Sequence, residues 1–239
     1  MIEYQGLKMK NILLTLLVTL TLSTAWAGPE EDAIAAYSRR DYAAVLKIVR
    51  PPAIKGEAWA QSWLAEANES GEGVVQDYAE AVKWYRLAAQ QGHATAQNNL
   101  GLMYVKSQGV VQDYVEAVKW YRLAAQQGHA TAQNNLGLMY AKGQGVVQDY
   151  VEAVKWYRLA AQQGRASAQF DLGAMYAIGQ GVMQDYVKAH VWFNLAAASG
   201  HEGSVKARDL TTKMLTPQQI GDAQKLARDC QAKKLKGCD

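Results

Sequence analysis

A unit of 36 residues repeats along this chain of 239 residues. Segment 77–112 differs from 113–148 at only three positions, and 113–148 differs from 149–184 at seven. Repetition at this period is typical of a solenoid, in which each unit buries its apolar face by stacking on the next unit. The repeat therefore predicts the architecture of the chain, but it does not identify a partner.

Weaker copies of the unit flank the three strong ones. Gly56 and Gln61 occupy the positions of Gly92 and Gln97, and residues 185–200 keep the first half of the pattern. Terminal units of a solenoid are commonly atypical, because one of their faces meets solvent or a cap. The sequence therefore divides into a signal peptide (1–27), a degenerate N-terminal repeat (28–76), three strong repeats (77–184) and a C-terminal partial repeat with a capping helix (185–239).

The N-terminal segment has the composition of an export signal. Lys8 and Lys10 precede an apolar run from Ile12 to Leu22, and small residues follow at Ala25 and Ala27. The run is shorter than the about 20 apolar residues that a membrane span needs, and the small residues suit signal peptidase. We therefore expect cleavage after this segment, no stable membrane insertion afterwards, and a periplasmic or secreted protein.

Each repeat predicts two helices. Asp77, with Glu80 three residues later, begins the first, and Gly92 ends it. A second helix follows from about Ala94 to Tyr104, and Gly101 inside it indicates close contact with another helix. Two further sets recur in phase, and we interpret both as packing between units: Trp84, Trp120, Trp156 and Trp192, and the glutamines Gln97, Gln133 and Gln169.

These motifs together resemble the Sel1-like repeat, a relative of the tetratricopeptide repeat. One copy reads Gly-x-Gly-Val-x-x-Asp-Tyr over 143–150, Trp-Tyr-x-x-Ala-Ala-x-x-Gly over 156–164 and Ala-Gln-x-x-Leu-Gly-x-x-Tyr over 168–176. The resemblance covers roughly residues 30–229. It implies an all-α, right-handed α/α superhelix whose concave face binds a protein or peptide, without a cofactor.

Leucines among the charged residues of the first helices are the candidate partner-binding residues. An apolar side chain ringed by charge is typical of an interface anchor, although contact with the neighbouring repeat would explain it equally well. A second candidate is an apolar patch near the C-terminal end, where the later units lose polar residues. The predicted binding residues are Leu87, Leu123, Leu159, Phe170, Val191 and Leu195.

Charged side chains of the first helices allow two interpretations. Two sets of basic residues recur in phase and would form a weakly basic ladder for the carboxylates of a peptide: Arg86, Arg122 and Arg158, and Lys83, Lys119 and Lys155. Pairs such as Glu80 and Lys83 would alternatively be ordinary solvated helix pairs. The formal net charge is only +3, which argues against bulk nucleic-acid binding.

No catalytic motif or metal-ligand cluster is present in the sequence. Ser-x-x-Lys, Gly-x-Ser-x-Gly and His-Glu-x-x-His are all missing. His93 and His129 lie too far apart in a helical stack to share a metal, so we interpret them as polar groups at helix starts. We therefore predict a non-enzymatic scaffold. The alternative is a cell-envelope receptor for peptidoglycan fragments or β-lactams, with β-lactamase-like activity at most.

Cys230 and Cys238 are the two cysteines of the chain. An even pair in an exported protein predicts a disulfide. A continuous helix would hold the two about 12 Å apart, so the bridge requires the chain to turn back before Gly237. The preceding segment, beginning at Thr216-Pro217, has the signals of a helix start and predicts a final helix that caps the solenoid.

Overall fold

A computed structural model describes residues 28–235 and Cys238. Within these residues the chain forms twelve α-helices and no strand. In chain order they are α1 (Pro29–Ser38), α2 (Tyr42–Ile54), α3 (Ala58–Ser70), α4 (Tyr78–Gln90), α5 (Ala94–Lys106), α6 (Tyr114–Gln126), α7 (Ala130–Lys142), α8 (Tyr150–Gln162), α9 (Ala166–Ile178), α10 (Tyr186–Ala198), α11 (Ser204–Thr212) and α12 (Pro217–Ala232).

Consecutive helices pack as pairs. The two helices of one unit pack against each other, and the second helix packs more extensively against the first helix of the next unit. The core is therefore a succession of apolar clusters, each shared between neighbouring units. This arrangement confirms the predicted all-α solenoid.

Aspartates begin the first helices, as predicted. The Asp77 carboxylate accepts a hydrogen bond from the backbone N–H of Glu80 at 2.9 Å, and Asp113, Asp149 and Asp185 begin α6, α8 and α10 in the same way. The Glu80 side chain pairs with Lys83 at 2.7 Å. Among the described helices, the complete reciprocal capping box occurs at the start of α12, between Thr216 and Gln219.

Glycine in the second helices lets two helices approach closely. A Cβ on Gly101 would lie 2.8 Å from the Tyr121 ring of the next unit, and one on Gly137 would lie 2.8 Å from the ring of Tyr157. Real Cβ atoms do not tolerate such distances, so a larger residue would force the helices apart. The close contact predicted at Gly101 is confirmed.

Glutamines form a ladder that links successive units. The Gln97 amide donates to the carbonyl of Ala89 at 3.0 Å, and its oxygen accepts from the Gln127 amide at 2.7 Å. The same bonds recur at Gln133, which donates to Ala125 and accepts from Gln163. Because buried amides are costly when unpaired, the ladder fixes the register of stacking.

The C-terminal helix covers the last repeat. Ala223, Ala227 and Cys230 of α12 are buried in the same cluster as the core of α8, α9 and α10. Cys230 is paired with Cys238, and their Cα atoms are 5.4 Å apart. The predicted cap and the predicted cysteine pair are therefore both present.

None of the helices in the described part of the chain is long and apolar enough to span a bilayer. The predicted signal peptide, residues 1–27, lies outside the described residues.

Candidate partner-binding surface

Three of the predicted leucines are exposed at equivalent positions of successive first helices. Leu87 on α4, Leu123 on α6 and Leu159 on α8 are 44%, 45% and 44% exposed. A residue that served only to contact the neighbouring repeat would be buried by that contact. We call these three side chains the leucine row.

Each leucine in the two central units belongs to a short stripe along its helix. Val115 and Leu123 flank Lys119 at four-residue spacing on α6, and Val151 and Leu159 do so on α8. Both valines are more than half exposed. The exposed stripe therefore alternates apolar and cationic side chains, a composition that suits an amphipathic partner segment.

The charged neighbours of the leucine row are held in different ways. Lys83, like its counterparts, forms a solvated ion pair with the glutamate three residues before it, and such pairs contribute little to stability. Arginines instead bond to tyrosine hydroxyls of the second helices. Arg86 donates to Tyr104 at 3.1 Å, and the same bond recurs from Arg122 to Tyr140 and from Arg158 to Tyr176.

These arginine bonds bear on the predicted carboxylate ladder. A guanidinium carries five N–H donors, and the tyrosine bond of Arg86 or Arg122 uses one of them. The bond fixes the direction of the side chain and lowers the entropy lost when a partner carboxylate binds. The binding of partner carboxylates by these arginines thus stays a prediction. The tyrosine bonds set the direction in which the arginine side chains point.

The predicted C-terminal patch is wrong for two of its residues. Val191 is fully buried and Leu195 is 2% exposed, because α11 and α12 both pack against α10 and cover the faces that are exposed in earlier units. Phe170 is half-buried, 5.4 Å from the Phe193 ring and stacked 4.4 Å from the His201 ring. The later units therefore lose polar residues because α11 and α12 cover this end of the solenoid.

Two recurring residue types have the structural roles predicted for them. Trp84, Trp120 and Trp156 pack at the junctions between clusters, and Trp192 is fully buried. The imidazole Nδ1 of His93 accepts from the backbone N–H of Ala96 at 3.3 Å, and burial lowers its pKa. Among the described residues, no group of three acidic, histidine or cysteine side chains is placed to hold a metal.

A second exposed apolar row was not predicted from the sequence. It lies in the loops between units and consists of Val75, Val111, Val147 and Met183, which are 87–90% exposed. The signal was the repeated Gly-Val-Val-Gln, whose second valine has no place in the helical pattern. We call this set the loop row.

The architecture is that of a helical repeat solenoid with an exposed residue pattern that recurs at the repeat period. The family model described as Sel1 repeat matches residues 60–93, 94–129, 130–164 and 166–201, which is more than half of the chain. The chain therefore belongs to the Sel1 repeat family. Its matched units begin in a second helix and end after the next first helix, the pair that packs most extensively here.

Solved structures of two related proteins share this fold. A Sel1 repeat protein from Oxalobacter formigenes is 36% identical, with a TM-score of 0.70 over 75% of this chain and 71% of that one. The protective antigen c5321 of uropathogenic Escherichia coli, described as displaying an SLR fold, is 45% identical with a TM-score of 0.64. That match covers 66% of this chain and only 34%, about a third, of the E. coli chain.

No curated protein matches the sequence. The family itself is a family of non-catalytic repeat scaffolds, whose members generally bind other proteins. The leucine row is consequently the part of this chain to examine for partner binding.

Proposed function

We propose that this protein is an exported, non-enzymatic scaffold that binds a segment of a protein or peptide along the leucine row. The observation that carries the proposal is the equal exposure of Leu87, Leu123 and Leu159 at one position of three successive units. Near-identical units keep nearly half of a large apolar side chain in water each time. A partner that spans several units would remove all three from water at once.

The size of this effect follows from burial. Full burial of a leucine side chain contributes about 1.5–3 kcal/mol, so covering the exposed half contributes roughly 1 kcal/mol per residue. Three leucines together supply about 3 kcal/mol, or a factor of roughly one hundred in affinity. The arginines beside them add charge-assisted bonds to partner carboxylates. An amphipathic, mildly acidic segment therefore fits this surface best.

Export is the second part of the proposal. It rests on the basic residues, short apolar run and small residues of the N-terminal segment. The cysteine pair near the C-terminus agrees with an oxidising compartment. Mass spectrometry of the protein from its native host should give a chain that begins near residue 28, in the periplasm or the medium.

Site-specific photo-crosslinking tests the binding surface directly. A photoreactive residue at position 123 should yield a crosslinked protein partner in the native cell envelope, whereas the same residue at position 147 of the loop row should not. Crosslinks of equal yield from both positions would contradict a specific surface. Incubation with small ligands of the cell envelope tests the alternative. A chromogenic β-lactam should not be turned over, and neither the β-lactam nor peptidoglycan fragments should show saturable binding. Turnover or saturable binding would favour the receptor alternative.

A further inference from the structure

The N-terminal unit departs from the other repeats at positions that meet in one place. Trp63 stands where the following units carry Asn99, Asn135 and Asp171. Glu66 stands where they carry Leu102, Leu138 and Ala174, and Glu72 where they carry Gln108, Gln144 and Gln180. Two neutral positions have thus become acidic and one polar position has become aromatic. The N-terminal unit differs from the others at many positions, but these three changes are notable because they meet in one place.

These three residues line a cleft with two tyrosines. The Tyr37 ring lies edge-on to Trp63, with ring centroids 5.4 Å apart, and edge-on to Tyr42 at 5.8 Å. Glu66 and Glu72 complete the lining beside Val45 and Ala67. Burial together with the Glu72 charge raises the pKa of the Tyr37 hydroxyl, and the Glu72 carboxylate together with burial raises the pKa of the Tyr42 hydroxyl, so Glu72 lies close to both rings. The cleft is therefore a box of aromatic rings with two carboxylates.

The charge in this box is uncompensated. Within the described residues neither glutamate forms an ion pair. Glu66 is exposed as a residue, but partial burial of its carboxyl group and the nearby Glu69 and Glu72 raise the pKa of that group. Arg40 is close enough to act on the Tyr42 hydroxyl but pairs with neither carboxylate. Aromatic faces and carboxylates both attract cations.

The small free volume of the cleft favours a small cation over a large one. The cleft has room for about 10 Å³, which is about the space of one water molecule. An ammonium head is comparable in size to water and can donate hydrogen bonds to both carboxylates. A trimethylated ammonium is larger and has no N–H donor.

We propose that this cleft binds a primary ammonium group on an alkyl chain. Such an ammonium group can come from two sources, the lysine side chain of a protein partner or a free alkyl amine. The site lies in the degenerate N-terminal unit, apart from the leucine row, and so stands whether or not that row binds a partner.

Titration of the full chain with n-butylammonium, followed by NMR of the tyrosine and tryptophan rings, tests the proposal. We expect saturable binding, and binding of tetramethylammonium at least tenfold weaker. The double variant Glu66→Leu, Glu72→Gln installs residues that the following units carry, so it is compatible with the fold. Its affinity for n-butylammonium should fall at least tenfold.

The matched control is Glu116→Gln with Glu152→Gln, which removes two negative charges from partly exposed positions on α6 and α8. It should bind n-butylammonium like the wild type. Should the double variant fail to fold, Glu66→Gln alone at the exposed rim should still weaken binding measurably. Absence of saturable binding, equal affinity for both cations, or equal loss in the control would overturn the proposal.

A lysine-containing peptide separates the two sources. A peptide that binds at least tenfold more tightly than n-butylammonium supports a lysine of a protein partner. Equal affinity of the two supports a free amine, because the peptide backbone then adds nothing to binding.

Discussion

A single carboxylate in the third strong repeat is predicted to weaken the fold at neutral pH. Asp171 replaces an asparagine that the two preceding units carry at this position. In the preceding junction, the Asn135 amide donates to Asn98 Oδ1 at 3.0 Å, and Asn98 donates onward to Asn99. Asp171 has no such donor when ionised, and the nearby Asn134 side chain acts to lower the pKa of its carboxyl.

The consequence is visible at Asn134. Its Oδ1 is buried and has no hydrogen-bond partner among the described residues. Burial raises the pKa of the Asp171 carboxyl from 3.8 to about 6, although Asn134 and Lys142 both act in the opposite direction. A shift of this size corresponds to at most roughly 3 kcal/mol, and partial exposure of the side chain reduces the expected effect to about 1–2 kcal/mol.

The sign of the pH dependence follows from the raised pKa. The folded state binds the proton more tightly than the unfolded state, so the penalty is fully present above pH 6 and disappears below pH 3.8. Asp171→Asn should therefore raise the free energy of unfolding by about 1–2 kcal/mol at pH 7.5. This gain should shrink steadily as the pH falls from 6 to 4.

Urea unfolding followed by circular dichroism, at several pH values between 4 and 8, measures this difference. The reciprocal variant Asn135→Asp should lose a similar amount at pH 7.5, because it places the carboxylate in the preceding junction. If Asp171→Asn is no more stable than the wild type at pH 7.5, or if its advantage does not depend on pH, then the Asp171 carboxylate does not weaken this junction.

Four further predictions concern packing, the ladder and the tail. Gly137→Ala should cost about 1–3 kcal/mol of stability, because its Cβ would press on the Tyr157 ring. In Gly221→Ala of α12 the added Cβ would have no atom within 4 Å, so the free energy of unfolding should rise by up to about 1 kcal/mol. Chemical denaturation measures both variants against the wild type. Gln133→Leu should cost about 1–3 kcal/mol in the same assay by leaving its two partners unpaired, and an unchanged midpoint would argue against the ladder. Reduction of the disulfide at Cys230 should speed hydrogen exchange in α12 while the central helices keep their protection, and uniform acceleration would contradict a local role.

The repeat made the fold readable from the sequence. Helix starts at Asp77 and its counterparts, the glycine contacts and the glutamine ladder each follow from a local rule applied at a known period. The exposed leucines were also predictable, because their places on the helix wheel are the same in every unit.

The features that could not be predicted from the sequence lie where the end units depart from the repeat. A helix wheel of α10 places Val191 and Leu195 on a face that is exposed in earlier units. It cannot show that α11 and α12 pack against that face, and only the structure reveals that these two helices cover both residues. The aromatic cleft was missed because Tyr37 and Trp63 are 26 residues apart and belong to different helices. Comparison of Glu66 and Glu72 with their counterparts in later units would have been the signal.

Affinity capture from the native cell envelope tests the scaffold most directly. We would compare the wild type with a Leu87→Glu, Leu123→Glu, Leu159→Glu variant and with a Val75→Glu, Val111→Glu, Val147→Glu control, which adds the same charge at the same period on the loop row. We expect one partner that the wild type and the loop-row control retain and the leucine-row variant loses, with helicity unchanged in all three. A partner retained by the leucine-row variant, or lost equally by both variants, would contradict this expectation.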